Sequence, residues 1–357
     1  MEAGLCKANV LFCIRRFLQA KSALGIGDTG VGLDGVKIKN KPRWDVEKVK
    51  KEPLHFAFCM DAGYAPYTGV ALTSIVLNNI GEQMVFHLLY SHMHEADIEK
   101  FKQTAALYRN VTIAFYHLGD IKQTEKYKTG YHFTKEMFYR LYIPFVLPQD
   151  IKKVFYLDGD VLCTGSLAEL FSMSFDGHPV IADGSEAPAE TIERLHISSG
   201  QSLHSGQLVM DLPAWRKCKI TERTFELLDA RGQDFEWPDN DALICSLDGD
   251  FQKMPLIYAK MIDCATEMRD ITADVRLIHY LGSTKPWKSW CFSESRHLWW
   301  EYAQRSLWHD LKPEEPQNVG VVLWLAQQMA VRGRVNEALR YYEAFAHFVT
   351  DKGKNKE

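Results

Sequence analysis

The chain has 357 residues, of which 46% are apolar and 25% are charged, and its formal net charge is −4. A chain of this length and composition can bury a sizeable core, which excludes a disordered or fibrous protein. The weakly negative balance also argues against a nucleic-acid partner, because such partners are bound by a basic surface.

The cysteines and the apolar runs indicate the cellular compartment of the protein. The chain has eight cysteines, and no two of them form a Cys-x-x-Cys pair, which predicts reduced thiols rather than a disulfide framework. No apolar run reaches the roughly 18 residues that span a bilayer. The N-terminal stretch is interrupted by Lys7, Arg15 and Arg16 and does not resemble a signal peptide. We therefore predict a cytoplasmic protein.

Residues 1–53 form a basic region with eleven Lys or Arg against six Asp or Glu. Residues 5–20 are typical of an amphipathic helix, and a glycine-rich linker follows at 25–35. Such a helix either packs on the core or lies on an anionic surface, here the inner membrane. The sequence favours neither interpretation.

From residue 54 onward, apolar runs of strand type alternate with helical patterns. Strands are predicted at 55–60, 84–90, 111–116, 153–158, 179–183 and 206–212, and helices at 66–79, 95–109, 133–146, 166–171, 219–231 and 239–247. This alternation predicts an α/β, Rossmann-like domain over 54–284, with a mainly parallel sheet and helices on both faces. Ligands bind such domains at the carboxyl ends of the strands.

Two carboxylates, Asp158 and Asp160, follow the apolar strand that begins at Val154. Residues two apart along a strand share a face, so both side chains are expected to point at one ion. Gly159 between them lets a ligand approach the backbone. Hard oxygen ligands of this kind favour Mn²⁺ or Mg²⁺, which usually carries a nucleotide diphosphate as well.

Most acidic pairs at strand ends are solvated turns, and the chain contains its own example. Asp248-Gly249-Asp250 repeats the same letters, between a predicted helix and a strand-like run, and we interpret it as a helix-to-strand turn. The motif alone is therefore weak, and a second cluster is needed to support it.

That cluster is a short apolar strand ending at His279, a turn at Gly282, and Lys285 before Pro286 and Trp287. A neutral imidazole completes a coordination set begun by two aspartates, and Mn²⁺ accepts mixed nitrogen and oxygen ligands. Lys285 is expected to lie over the site as a mobile charge that neutralises a diphosphate. The alternative is a histidine buried in the core without a ligand.

The C-terminal residues divide into two regions. Residues 285–315 are rich in tryptophan, which indicates either packing, expected for most of them, or contact with a lipid interface. Residues 316–357 predict two short antiparallel helices joined at Gly333. One such hairpin cannot form a solenoid, so we expect it to cap the domain or to serve for self-association or partner docking.

Taken in order, several motifs resemble glycosyltransferase family 8, especially the bacterial lipopolysaccharide core glucosyl- and galactosyltransferases. The matching segments lie at 56–64, 138–144, 158–160, 205–216, 237–243 and 279–287, within a resemblance that covers about residues 54–313. The Asp-x-Asp strand and the His-Tyr-x-Gly-x-x-Lys-Pro-Trp segment are specific together and much less so apart.

The resemblance implies a GT-A type fold with a small helical C-terminal region, a UDP-hexose donor and a glycan acceptor. It places the metal on Asp158, Asp160 and His279. It places uridine on Cys59, Asp61 and Tyr64, and the diphosphate on Lys285, with Gly282 in the same motif. It places the donor sugar near Arg140, Asp183, His204 and Ser205, and the reacting carbon above Asp239, Asn240 and Asp241.

Two positions depart from the family pattern. His204 stands where the family usually has asparagine, and Asn240 stands where it usually has glutamine. Both belong to the implied donor-sugar pocket, so they put the identity of the donor, and to a lesser degree turnover, in question.

We therefore predict a metal-dependent, retaining hexosyltransferase that moves glucose or galactose from UDP to a lipopolysaccharide core or similar glycan. Retention is expected through front-face attack, although Asp239 leaves a covalent intermediate open. Three alternatives remain. They are a metal-dependent nucleotide phosphohydrolase, a nucleotide-sugar-binding protein without transfer, and a scaffold that uses the terminal hairpin.

Overall fold

A computed structural model describes residues 37–39, 52–129, 134–266 and 271–354. Its strands are β1 (Lys37–Lys39), β2 (Leu54–Met60), β3 (Met84–Tyr90), β4 (Val111–His117), β5 (Lys153–Leu157), β6 (Val161–Cys163), β7 (Val180–Glu186), β8 (Gln201–Asp211), β9 (Gln252–Lys253), β10 (Lys260–Asp263) and β11 (Leu277–Leu281). The predicted N-terminal helix at 5–20 lies outside the described residues.

The helices alternate with these strands. They are α1 (Ala65–Asn78), α2 (Glu95–Leu107), α3 (Lys122–Glu125), α4 (Ile143–Val146), α5 (Ala168–Ser172), α6 (Ala189–Leu195), α7 (Leu212–Lys217), α8 (Ile220–Arg231), α9 (Pro238–Leu247), α10 (Arg296–Arg305), α11 (Val319–Val331) and α12 (Val335–Lys354), with 3-10 helices at Lys135–Tyr142 and Leu256–Tyr258. Within the described residues, none of the helices combines the length and apolar character of a bilayer span.

The larger sheet has the strand order β1-β4-β3-β2-β5-β8-β7-β9. Strands β4, β3, β2 and β5 run parallel, while β8 is antiparallel to both β5 and β7. Crossovers through α1 and α2 produce the parallel pairs, because parallel neighbours need a long connection. The predicted α/β fold with a mainly parallel, mixed sheet is confirmed.

Alternation along β2 divides the core between the two faces of the sheet. Phe56 and Phe58 pack with α1 and α10 on one face, while Ala57 packs with the 3-10 helix at Lys135–Tyr142, α8 and α9 on the other. Strand β5 follows the same rule, so Tyr156 lies on the face of that 3-10 helix. This face supplies several side chains of the site described below.

A second sheet of three strands, in the order β10-β11-β6, lies beside the first. Strand β6 follows β5 after a three-residue turn, and β11 pairs antiparallel with it. The small sheet therefore brings a segment near residue 280 next to the end of β5. This connection carries no local signal in the sequence, since β6 and β11 are more than a hundred residues apart.

Several predicted elements are confirmed and some need correction. Strand 84–90 is found with the predicted bounds, and the turn at Asp248 and Gly249 joins α9 to β9, with φ of +40° and +88°. The helix predicted at 133–146 is a 3-10 helix followed by the short α4. Strand β8 begins at Gln201, five residues earlier than predicted.

The C-terminal regions pack largely as expected. Trp287, Trp290, Trp299 and Trp308 are buried, which confirms packing for most of the cluster. Helices α11 and α12 form the predicted hairpin, with Gly333 at φ +70° between them. The boundaries at 53, 284 and 315 stay predictions.

Candidate active site

The Asp158-Gly159-Asp160 segment is the turn between β5 and β6. The sequence indicated that the pleat of one strand points both carboxylates in the same direction. In the structure, their shared direction comes from the turn instead. The Asp158 N–H donates to Gly206 O at 2.9 Å, which fixes the turn against β8. The Tyr280 N–H donates to Asp160 O at 3.0 Å, which fixes it against β11.

His279 lies in the middle of β11, not at its end, because the strand continues to Leu281. The prediction that this histidine ends a strand is therefore wrong. Its backbone pairs with Val161 of β6, the residue that follows Asp160. Pairing in the small sheet thus places the imidazole directly beside the aspartate turn.

The three side chains point at one location. His279 Nε2 lies 3.1 Å from Asp160 Oδ1 and 3.8 Å from Asp158 Oδ2. One ligand atom from each residue lies within 4.8 Å of the others. Two carboxylate oxygens and an imidazole nitrogen thus surround a common point, as the sequence predicted.

The other oxygen of each aspartate contacts a fixed partner. Asp160 Oδ2 accepts from Lys285 Nζ at 2.7 Å, while Asp158 Oδ1 accepts from the Tyr156 hydroxyl and lies 3.2 Å from Arg140 Nη2. Burial alone would raise the pKa of Asp160, but Lys285 and the neighbouring imidazole outweigh it and hold that pKa well below the usual range. Asp160 is therefore a carboxylate throughout the neutral pH range.

The residues around this point fit a divalent cation. A Cβ on Gly206 would collide with His279 Cε1 and lie 2.6 Å from Asp158 Oδ2, so only glycine leaves this space open. His279 Nδ1 is buried and has no hydrogen-bond partner among the described residues. A mixed set of carboxylate oxygens and imidazole nitrogen suits Mn²⁺ and also accepts Mg²⁺.

Lys285 is held more firmly than the sequence indicated. Its side chain is buried, and Nζ donates to Asp160 Oδ2 and to Tyr280 O, both at 2.7 Å. The turn at Gly282, with φ +72°, separates β11 from the segment that carries Lys285. Lys285 is thus a counter-ion of Asp160 in this structure, and its contact with a diphosphate stays a prediction.

The loop after β2 reaches the aspartate turn. The Tyr64 N–H donates to Asp61 Oδ1 at 2.9 Å, which sets the start of α1. A Cβ on Gly159 would lie 3.1 Å from Tyr64 Cδ1 and closer still to Thr68 Oγ1, so the loop packs on the turn. Burial raises the pKa of Tyr64 and of the Cys59 thiol, so both side chains are neutral.

Arg140, Ser205, Asp239 and Asn240 form a connected group beside Asp158. Arg140 Nη1 donates to Ser205 O at 2.7 Å and to Ser205 Oγ at 2.8 Å, and Nη2 lies 3.3 Å from Asp239 Oδ2. The Ser205 N–H donates to Asn240 Oδ1 at 2.8 Å. Burial raises the pKa of Asp239, and the guanidinium opposes that change.

His204 and Asp183 face each other across β8 and β7, where the register shifts at Asp183. The His204 ring packs edge-to-face on His279, with ring centroids 4.8 Å apart, and Nδ1 accepts from the Gly206 N–H at 3.3 Å. Burial, with a further contribution from His279, lowers the pKa of His204 to about 3. His204 is therefore an uncharged side chain that lines the site.

Asp241 does not reach this group, although the resemblance placed it beneath the reacting carbon. Its Oδ2 accepts from the Glu236 and Trp237 N–H groups at the start of α9, and from Arg194 Nη1 at 2.5 Å. Asp241 thus stabilises the beginning of the helix that carries Asp239 and Asn240.

Two site residues were not assigned a role from the sequence. Tyr156 anchors Asp158, and strand alternation could have revealed it, since residues 156 and 158 share a face. Gly206 keeps the space beside His279 open, and no local pattern in the sequence indicates that need.

The chain can now be compared with known proteins. Residues 55–291 match the model of glycosyl transferase family 8. The chain belongs to this family. Lipopolysaccharide 1,2-glucosyltransferase of Escherichia coli K12 is 26% identical over 300 residues, which cover 80% of this chain and 88% of that protein. Lipopolysaccharide 1,3-galactosyltransferase of Salmonella typhimurium is 22% identical over 315 residues, 82% of this chain and 90% of that protein.

A solved glycosyltransferase structure shares the fold. The galactosyltransferase LgtC, crystallised in complex with donor and acceptor sugar analogues, superimposes with a TM-score of 0.61 at 21% identity. The alignment covers 71% of this chain and 96% of LgtC. The family 8 chain therefore has the GT-A glycosyltransferase fold, as the sequence predicted.

Proposed function

We propose that this family 8 member is a metal-dependent, retaining hexosyltransferase that transfers glucose or galactose from UDP to a lipopolysaccharide core or similar glycan. The observation that carries the proposal is the convergence of Asp158, Asp160 and His279 on one point, next to the loop at 59–64. Relatives that cover most of the chain transfer glucose or galactose to lipopolysaccharide, which supports the hexose and the acceptor class.

The arrangement of charges suits departure of a nucleoside diphosphate. As the anomeric C–O bond breaks, negative charge grows on the leaving phosphate, and a bound divalent cation stabilises that charge. Asp158, Asp160 and His279 would hold the cation. Lys285 neutralises Asp160, so the site keeps few uncompensated negative charges that would repel the donor.

The groups proposed to lie below the reacting carbon are already engaged by the protein. Asp239 Oδ2 faces the Arg140 guanidinium, and Asn240 Oδ1 accepts from the Ser205 backbone. Asn240 is an amide and therefore a weak nucleophile, which supports front-face attack by the acceptor hydroxyl. The neutral His204 bounds the same pocket and is proposed to influence which hexose is accepted.

The acceptor class indicates where in the cell the enzyme acts. A lipopolysaccharide precursor is lipid-linked, so we propose that the enzyme acts in the cytoplasm and contacts the anionic inner-membrane surface. The basic residues 1–53 are the proposed contact.

The test is a donor screen with purified full-length chain. UDP-glucose and UDP-galactose are incubated with Mn²⁺ or with EDTA, each with and without a truncated core oligosaccharide, and UDP release and the acceptor mass are measured. We expect acceptor-dependent, EDTA-sensitive transfer of one hexose. Equal release of UDP without acceptor would identify a hydrolase, and Mn²⁺-dependent UDP binding without any product would identify a binding protein.

A further inference from the structure

The segment from Lys285 to Ser289 is paired with a residue that lies outside the family match. Glu314 follows the matched residues 55–291, and its backbone contacts this segment twice. The Glu314 N–H donates to Trp287 O at 2.9 Å, and the Ser289 N–H donates to Glu314 O at 2.9 Å. The chain at Glu314 therefore lies directly beside the segment and fixes the backbone of Trp287.

The Glu314 side chain extends this contact to α1. Its Oε1 accepts a hydrogen bond from the Tyr67 hydroxyl. The Tyr67 ring stacks on Trp287, with ring centroids 3.8 Å apart and an angle of 6° between the planes. Burial, together with the hydrogen bond to Glu314, raises the pKa of Tyr67, so the hydroxyl is protonated and is the donor. Trp287 is thus held by Glu314 along its backbone and by Tyr67 on its ring face.

The position of Trp287 constrains that of Lys285, because only Pro286 separates them. Proline has a fixed φ angle, which makes this connection stiff. The Lys288 N–H donates to Lys285 O at 3.0 Å, which closes a turn around the three residues. A movement of Trp287 would therefore displace Lys285, whose Nζ lies 2.7 Å from Asp160 Oδ2 in the aspartate turn.

We infer that Tyr67 and Glu314 are positioning residues: their hydrogen bond holds Trp287 against α1 and so keeps Lys285 where a donor diphosphate would meet it. A hydroxyl-to-carboxylate hydrogen bond is charge-assisted and stronger than a neutral one, and here it joins residues 247 positions apart in the chain. Neither residue is proposed to touch the donor. The inference rests on the proposed function, because it takes Lys285 as the cation that meets the diphosphate.

Two ligands that share the nucleoside make this role measurable. UDP carries the diphosphate, and uridine lacks it. A displaced Lys285 should therefore weaken the binding of UDP and leave the binding of uridine unchanged. A general loss of structure would instead weaken the binding of both ligands, because the loop at 59–64 would be disturbed as well.

The test is to measure the dissociation constants of UDP and of uridine for the purified full-length chain at saturating Mn²⁺, by calorimetry and by ligand-observed NMR respectively. The variants are Tyr67→Phe, which keeps the stacked ring, and Glu314→Ala, which removes the acceptor. We expect each variant to bind UDP about three- to tenfold more weakly, the range for one lost hydrogen bond. Each should bind uridine like wild type, and circular dichroism checks folding.

Three further variants serve as controls. Glu314→Gln keeps an acceptor for the Tyr67 hydroxyl, so it should recover most of the UDP affinity that Glu314→Ala loses. Glu315→Ala removes the next glutamate, whose Oε2 accepts from Ser289 Oγ at 3.0 Å, a contact that does not involve α1; it should bind UDP like wild type. The double variant Tyr67→Phe with Glu314→Ala should bind UDP no more weakly than the weaker single variant, because both changes remove the same hydrogen bond.

Four results would overturn the inference alone. They are unchanged UDP affinity in both single variants, equal weakening of UDP and uridine, a loss in Glu315→Ala as large as that in Glu314→Ala, and tighter UDP binding by Glu314→Ala. The last result would show that Glu314 acts only through its negative charge, which repels an anionic ligand. A wild-type chain that binds no UDP would overturn the proposed function as well, which separates the two failures.

Discussion

The two aspartates of the site should differ in how much stability the protein loses when each is replaced. Asp158 keeps 25% of its side chain exposed, whereas Asp160 is buried against Lys285 and His279. Removing one partner of a buried ion pair leaves the other charge uncompensated, at a cost of about 3–5 kcal/mol. Removing a partly exposed carboxylate has a smaller effect on stability. The same turn therefore contains one carboxylate that mainly serves the proposed cation and one that also stabilises the fold.

This difference leads to a prediction for the pair of variants. Asp158→Ala and Asp160→Ala should each reduce transfer by about a hundredfold or more, because the cation loses a ligand. Both should remain folded, with Asp160→Ala less stable than Asp158→Ala, since Lys285 stays buried without its partner. Transfer assays and thermal denaturation measure the two effects.

The chain supplies a matched control for these variants. Asp250 belongs to the second Asp-Gly-Asp copy and pairs with His178 at the surface. Asp250→Ala should transfer hexose at the wild-type rate. Wild-type turnover in Asp158→Ala or Asp160→Ala, or a comparable loss in Asp250→Ala, would contradict the assigned metal ligands.

At the residue scale, the sequence predicted which side chains meet but not how they are held. Asp158, Asp160 and His279 were recognised because their types suit a cation and because the motifs fit one family. The contact of the buried Lys285 with Asp160 joins residues that are 125 positions apart in the chain. Such long-range pairing leaves no signal in a single sequence.

At the scale of elements, a polar chain crosses the centre of the sheet. His55 Nδ1 and His87 Nε2 lie 3.0 Å apart, and His87 Nδ1 lies 3.0 Å from the Tyr116 hydroxyl. These residues come from β2, β3 and β4, so the contacts link three neighbouring strands. Burial lowers the pKa of His55 to about 4, against an opposing effect of Asp150, and places that of His87 well below its ordinary value.

The histidine pair makes stability depend on pH. Both imidazoles are neutral in the folded chain, whereas the unfolded chain takes up protons near pH 6.5. Stability is therefore complete above pH 6.5 and falls as the pH decreases towards 4, by about 2 kcal/mol between pH 7 and pH 5 for His55 alone. Urea denaturation at the two pH values measures the change.

The variant His55→Gln provides the comparison, because glutamine keeps a polar side chain and does not titrate. Its loss of stability between pH 7 and pH 5 should be smaller than that of wild type. An equal loss in the two chains would show that His55 does not titrate on unfolding.

Element boundaries were predictable where burial and periodicity agree. Strand β3 is fully buried and was predicted residue by residue. The segment at 135–146 carries helical periodicity, but Pro144 interrupts the pattern. The chain adopts a 3-10 helix before the short α4. Strand β8 extends to Gln201 because β7 pairs with it beyond the bulge at Asp183, which is a tertiary effect.

On the scale of the molecule, the C-terminal region is joined to the first half of the domain. Trp308 Nε1 donates to Asp97 Oδ1 at 2.7 Å, and its ring lies against Gly69 of α1, where any Cβ would collide with it. Tyr67, also on α1, stacks on Trp287 with ring centroids 3.8 Å apart. These contacts connect α1, whose first turn follows the loop at 59–64, to the segment that carries Lys285.

The terminal hairpin leaves part of its apolar surface exposed. Helix α11 buries Val322, Leu325 and Met329, while α12 exposes Val335 and Leu339. Self-association through this hairpin, like membrane contact through residues 1–53, stays a prediction. The sequence indicated two helices here because the periodicity is local, but a partner for their outer face is not encoded in that pattern.

The central claim is that segments near residues 60, 160 and 280 meet around one cation that holds a nucleotide diphosphate. Anomalous diffraction at the manganese edge, from crystals grown with Mn²⁺ and UDP, tests it most directly. The account predicts a single strong peak in contact with Asp158, Asp160, His279 and the diphosphate, with uracil against the loop at 59–64. A manganese peak elsewhere, or UDP bound away from these residues, would contradict it.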